Sequence, residues 1–264
     1  MNRRTVLSFV AFVSLAMAVL GCGKTPVVDR IQQRGTVLVG TAGDYRPLSY
    51  KEPETGVYWG FCLDVAGEIA KAMNVTISYV PTSWPTLTAD VLAEPPSFDF
   101  AIGGITITDA RLETMDMSEG YLGNGKTILC RKEDAGKYTC QEDLNRPEVR
   151  VMVNPGGLNE KFARDKLPNC TLIVYERNEA IPGQVAEGHA DVMITEITEA
   201  PWYVRNDARL AAPLLDKPFT RGEIAVLMRK GQDDLMDVVN ATIRQMKADG
   251  RLQALHEKYG LQAF

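Results

Sequence analysis

The stretch Val153-Asn154-Pro155-Gly156-Gly157-Leu158-Asn159-Glu160-Lys161-Phe162-Ala163-Arg164 gathers groups able to hold an anion. It follows the alternating apolar residues Val149, Val151 and Val153 and runs into Leu158, Phe162 and Leu167 at helical spacing, which predicts strand, tight turn and helix. Two adjacent glycines let backbone approach a ligand, and the first amides of the helix lack partners where its dipole is positive, so a carboxylate suits the corner. Arg111 offers a second grip, because a planar guanidinium binds a carboxylate through two parallel hydrogen bonds. An arginine just after a cap such as Thr108 or Asp109 also serves as a surface partner, here for Glu113 or Asp116. Glu196 and Glu199 stand three residues apart after the strand segment from Asp191 to Ile194. Such spacing commonly makes an exposed helix face.

The elements that must position these groups come in two sets. In the first, the strand Thr36 to Val39 ends at Gly40-Thr41-Ala42-Gly43-Asp44-Tyr45, a glycine-rich strand end of the kind that places ligand contacts in α/β proteins. Phe61, Val65, Ile69 and Met73 then give a helix one apolar stripe. The strand Val75 to Val80 delivers Thr82-Ser83-Trp84-Pro85, which puts Trp84 at the edge of a pocket, and Phe98 to Ile102 leads into Gly103-Gly104-Ile105-Thr106. The second set runs from Val149 to Ile194 in the same β-α-β rhythm, and a return strand, Glu223 to Arg229, and two helices, Asp233 to Ala248 and Leu252 to Tyr259, close the chain. The expected fold class is α/β, with two parallel or mixed sheets flanked by helices, in two lobes joined by two hinge strands around a cleft. Lobe 1 is expected to comprise residues 36–128 with 222–264, and lobe 2 residues 129–221.

Forty-five per cent hydrophobic and 24% charged residues over a 264-residue chain suit a globular protein. The formal charge of −5 and the scatter of lysines and arginines exclude nucleic acid as a partner. Arg3 and Arg4 precede an apolar run from Val6 to Leu20, then Gly21-Cys22, which resembles a lipoprotein signal. Residues 1–21 are therefore expected to be cleaved, leaving a lipid on Cys22, a tether and lead-in over 22–35 that is amphipathic from Val28 to Gln33, and a location in the periplasm or at the extracytoplasmic membrane face. Four cysteines remain, Cys62, Cys130, Cys140 and Cys170, which permit three full pairings; Cys140 and Cys170 flank one strand-turn-helix unit and are the favoured disulfide. Neither their spacing nor the two histidines, His189 and His256, make a zinc site.

From about Thr36 onward, Gly60-Phe61, Gly104-Ile105-Thr106-Ile107-Thr108 with Arg111, and Asp191-Val192-Met193 resemble the family 3 extracellular solute-binding proteins of polar amino-acid transporters, whose fold is the type II periplasmic binding protein fold. Thr82-Ser83-Trp84-Pro85, Gly125-Lys126-Thr127 and Asn154-Pro155-Gly156-Gly157 resemble its enzyme branch, the cyclohexadienyl dehydratases. That resemblance implies conversion of prephenate to phenylpyruvate, or arogenate to phenylalanine, without a cofactor. Expelling hydroxide at neutral pH needs a proton donor, a role general acid catalysis fills with typically about 10²- to 10⁴-fold acceleration. By resemblance Glu199 is that acid, kept protonated by burial or by Glu196. Lys126 and Asn159 lie near the reacting ring, and Arg111, Trp84, Asp44, Thr106, Asn154, Gly157 and Glu196 bind the small anionic substrate. Glu196 stands where relatives usually carry Asp, the partner of an α-amino group, and Cys62 where Asp commonly follows Gly-Phe. The alternative is a non-catalytic lipoprotein that hands an amino acid to an ABC permease.

Overall fold

The computed structural model describes residues 25–261, so the expected signal segment and the expected lipid site at Cys22 lie outside the described residues. Val37 and Val39 project from the strand Thr36–Thr41 onto Phe61, Val65 and Ile69 of the helix Phe61–Ala72, all fully buried. That strand pairs in parallel with Thr76–Pro81 over six residues, and the first sheet runs in the order Thr76–Pro81, Thr36–Thr41, Phe100–Ala101, Leu227–Arg229, Met115–Met117. Leu227–Arg229 runs antiparallel to both its neighbours, so the sheet is mixed. The closing helices Asp233–Ala248 and Arg251–Tyr259 cover it beside Phe61–Ala72.

The second sheet repeats the plan in the order Thr171–Val174, Arg150–Val153, Val192–Glu196, Lys126–Arg131, Leu210–Ala211. Val151 and Val153 face the helix Leu158–Lys166, where Phe162 stacks on Phe219 with centroids 5.5 Å apart. Lys126 pairs with Glu196 across the antiparallel strands, so Lys126, Thr127 and Ile128, expected in lobe 1, pair within the second sheet.

An antiparallel ribbon, Leu122–Asn124 against Gly222–Ile224, joins the two halves. The return segment, expected as one strand from Glu223 to Arg229, is two strands: Gly222–Ile224 belongs to the ribbon and Leu227–Arg229 to the first sheet. The break lets one chain segment serve two surfaces.

The expected Cys140–Cys170 disulfide is absent: all four cysteines of the described residues are free thiols. Asp143 Oδ2 accepts hydrogen bonds from the Thr139 amide and hydroxyl, a turn that aims the exposed Cys140 thiol at the same carboxylate, 3.5 Å away. Cys62 and Cys130 are buried in the cores of different halves and cannot meet.

Candidate functional site

Between the halves lies a cavity of about 350 Å³, its open mouth included, walled by strand ends and helix starts from both sheets. Trp84, Thr106, Arg111, Lys126, Asn154, Gly157, Asn159 and Glu196 all line it, together with Tyr45 and Asn178, which the sequence reading did not single out. The fold brings these residues together because they sit at the ends of strands, in the loops beyond them or in the first turns of helices facing the cleft.

Arg111 sits in the first turn of the helix Asp109–Thr114, which Thr108 caps by accepting from the Arg111 amide. Its Nη1 donates to the Thr106 carbonyl at 2.6 Å, and among the described residues no carboxylate pairs with it, neither Glu113 nor Asp116. Burial pushes its pKa down to about 10. A half-buried guanidinium with one bond and no counter-ion is a charge awaiting an anion.

Lys126 Nζ donates to Asn159 Oδ1 at 2.6 Å and to Glu196 Oε1 at 2.5 Å. The second oxygen of Glu196 accepts from the Tyr45 hydroxyl of the opposite half. Burial lowers the Lys126 pKa to about 7; Glu199 nearby supports its charge and Arg111 opposes it. Burial, and then the charge of Glu199, hold the Glu196 carboxyl well above the usual carboxylate range. Burial thus disfavours charge on both partners of this pair.

Glu199 does not line the cavity. It precedes the helix Ala200–Asn206, fully buried, with Thr195 Oγ1 donating to Oε2 at 2.5 Å and the Tyr203 hydroxyl to Oε1 at 3.1 Å. Burial raises its pKa to about 8, with Asp44 adding to the rise and the two hydroxyls and Lys126 opposing it. At neutral pH it holds a proton, and its hydroxyl partners can serve a neutral acid as well as a carboxylate. Neither glutamate forms an exposed helix face.

Asp44 is also off the wall, behind Trp84, whose Nε1 donates to both its oxygens at 3.0 and 3.1 Å. Burial raises it to about 6, so it is largely ionised at neutral pH. Asn154 Oδ1 accepts from Asn159 Nδ2 at 3.5 Å, which together with the Lys126 bond fixes the Asn159 amide. The helix-start corner is partly occupied by its own chain. Glu160 reaches back to accept from the Gly156 amide at 2.7 Å, so that amide is not free for a ligand and Arg111 is left as the stronger anion site.

Tyr45 and Asn178 were missed because nothing local marks them. Both lie in elements too short to show a period, Tyr45 in the strand Asp44–Tyr45 and Asn178 in the 3₁₀ turn Asn178–Ala180, and their roles depend on the other half folding against them.

Comparison with known proteins agrees with this architecture. Residues 37–262 match the model for bacterial extracellular solute-binding proteins, family 3. The chain is 37% identical over 205 residues to cyclohexadienyl dehydratase of Pseudomonas aeruginosa, covering 78% of this chain and 75% of that one. Among solved structures it is similar to an ancestral amino acid-binding protein described as a precursor of cyclohexadienyl dehydratase, at 34% identity and a TM-score of 0.80, with 89% and 99% of the two chains covered. An ancestral cyclohexadienyl dehydratase matches at 48% identity and a TM-score of 0.55, with 89% and 96% covered. The fold is the type II periplasmic binding protein fold, and the chain belongs to the bacterial extracellular solute-binding proteins, family 3.

Proposed function

We propose that the protein is a cyclohexadienyl dehydratase-like lyase that aromatises prephenate or arogenate in the cleft. The observation that carries this reading is a fully buried carboxyl, Glu199, whose pKa burial raises to about 8, behind a cavity lined by Lys126 and by Arg111, a guanidinium with no carboxylate partner among the described residues. A carrier needs the anion clamp but has no use for a stored proton.

In the proposed step Arg111 holds one substrate carboxylate, and Lys126 and Asn159 border the ring. The Glu199 carboxyl exchanges its hydroxyl partners for the ring hydroxyl as substrate fills the cleft. Its proton goes to that oxygen, the carbon–oxygen bond breaks, and water leaves. The ring carboxylate loses its carbon–carbon bond in the same event, the released pair completes the aromatic ring, and carbon dioxide departs. Proton donation contributes about 10²- to 10⁴-fold, and aromatisation supplies the driving force. Trp84 offers a flat wall, its ring edge-on to Tyr45 at 6.0 Å.

The second reading, capture of an amino acid for a membrane permease at the extracytoplasmic face, is favoured by the likeness to an ancestral amino acid-binding protein. Against it stands Glu196, both of whose oxygens are engaged by Lys126 and Tyr45 rather than left for a ligand's ammonium. Purified protein incubated with prephenate and with arogenate separates the two. The lyase forms phenylpyruvate and phenylalanine respectively; product from neither substrate, with tight binding of common amino acids, establishes the carrier.

A further inference from the structure

Asn178 presents a feature that the aromatisation chemistry leaves unused. It begins the short 3₁₀ turn Asn178–Ala180 after the strand Thr171–Val174, lines the cavity, and is only 3% exposed. Its Nδ2 donates to the Asp44 carbonyl of the opposite half at 3.1 Å. Its Oδ1 is buried and has no hydrogen-bond partner among the described residues. The amide cannot simply be turned round, because Oδ1 would then meet the Asp44 carbonyl oxygen, acceptor against acceptor. A buried acceptor without a donor carries a cost comparable to a lost hydrogen bond, and a ligand donor removes it.

The surroundings say which donor. Asp44 and Glu179 are the acids on this side, close enough for their charges to repel each other, whereas the cations Arg111 and Lys126 are neighbours of one another. The cavity thus has a cationic part for carboxylates and, at Asn178, an acceptor backed by two acids that lie behind its wall, a corner that suits a positive or donating group. Glu196, at the position where an acid usually takes an α-amino group in this family, is already saturated by Lys126 and Tyr45.

Resting on the lyase reading, we propose that Asn178 is the specificity-determining residue for the substrate's α-ammonium, accepting its N–H at Oδ1 and so favouring the amino acid arogenate over the keto acid prephenate. The keto oxygen of prephenate would face Oδ1 lone pair to lone pair. A site built around one hydrogen bond discriminates against the analogue that lacks it.

The test is the ratio of kcat/KM for arogenate to that for prephenate in the wild type, in Asn178→Leu, and in Asn178→Ala as a smaller version of the same loss. Losing the bond to Asp44 weakens closure for both substrates and cancels in the ratio, which isolates the acceptor. The ratio is expected to fall at least about tenfold, mainly through KM for arogenate, and Asn178→Asp, which keeps an acceptor, is expected to hold it within about threefold of wild type. An unchanged or increased ratio in both Leu and Ala variants overturns the assignment, as it would if Oδ1 met the ring hydroxyl common to both substrates. Should the wild type turn over neither compound, the lyase reading fails, and calorimetric dissociation constants for the same two compounds read the same ratio. Binding of neither overturns both claims.

Discussion

In the proposed lyase, Glu199 and Lys126 set the chemistry at the scale of single residues, because burial moves both towards neutrality in the range where an enzyme works. The acid must carry its proton to act, and its pKa is raised to about 8, so turnover holds below that pH and falls as the proton is lost above it. Lys126, lowered to about 7, loses its charge across the same interval, which broadens the fall towards neutral pH. The pH profile of kcat/KM, which reports the free enzyme, is therefore expected to descend between about pH 7 and 8; a profile that rises through that range contradicts the assignment of a protonated acid. At this scale the sequence was partly legible. Arg111, Trp84, Lys126, Asn154, Asn159 and Glu196 all carry groups whose types suit the cleft they line. Asp44 and Glu199 stand behind its wall, and burial depth is set by packing between halves, which no local spacing encodes. Tyr45 and Asn178 were invisible for the same reason: their partners, Glu196 and the Asp44 carbonyl, lie more than a hundred residues away.

At the scale of elements, the strand-turn-helix unit from Arg150 to Lys166 illustrates what periodicity tells and what it omits. Alternation of Val149, Val151 and Val153 and the helical spacing of Leu158 and Phe162 located both elements to within a residue or two. The cross-half packing of the turn was not legible. Gly156 has φ +71°, and a Cβ there would lie 2.6 Å from the Pro85 Cα on the other side of the cleft. Gly156→Ala is therefore expected to lose about 1–2 kcal/mol of stability through the left-handed backbone and to hold the halves apart as well. A lowered melting temperature together with a raised KM and a nearly unchanged kcat is the expected signature; unchanged KM would show that the close approach to Pro85 is irrelevant to binding. The single return strand read from Glu223 to Arg229 failed differently. Its apolar content suits a buried strand, but only the fold shows that Ala225 and Val226 mark a passage from ribbon to sheet.

At the scale of the whole molecule, two sheets meet across one ribbon, and the site exists only where they close. Tyr45 to Glu196, Asn178 to the Asp44 carbonyl, Trp59 against Trp202 at 5.7 Å, and Arg205 to the Tyr259 and Gly260 carbonyls all cross the gap. Such contacts are shared by a carrier and an enzyme, so architecture alone does not decide function. On the proposed reading, what separates an enzyme from a carrier is the proton held by Glu199. The most direct measurement is the turnover of Glu199→Gln saturated with substrate, beside calorimetric binding of the same substrate. Gln preserves the shape and can still bond Thr195 and Tyr203, so the account predicts intact binding and a kcat at least about a hundredfold below wild type. Full turnover in that variant, with Glu196→Gln inactive instead, would move the proton to the cavity wall and contradict the central claim.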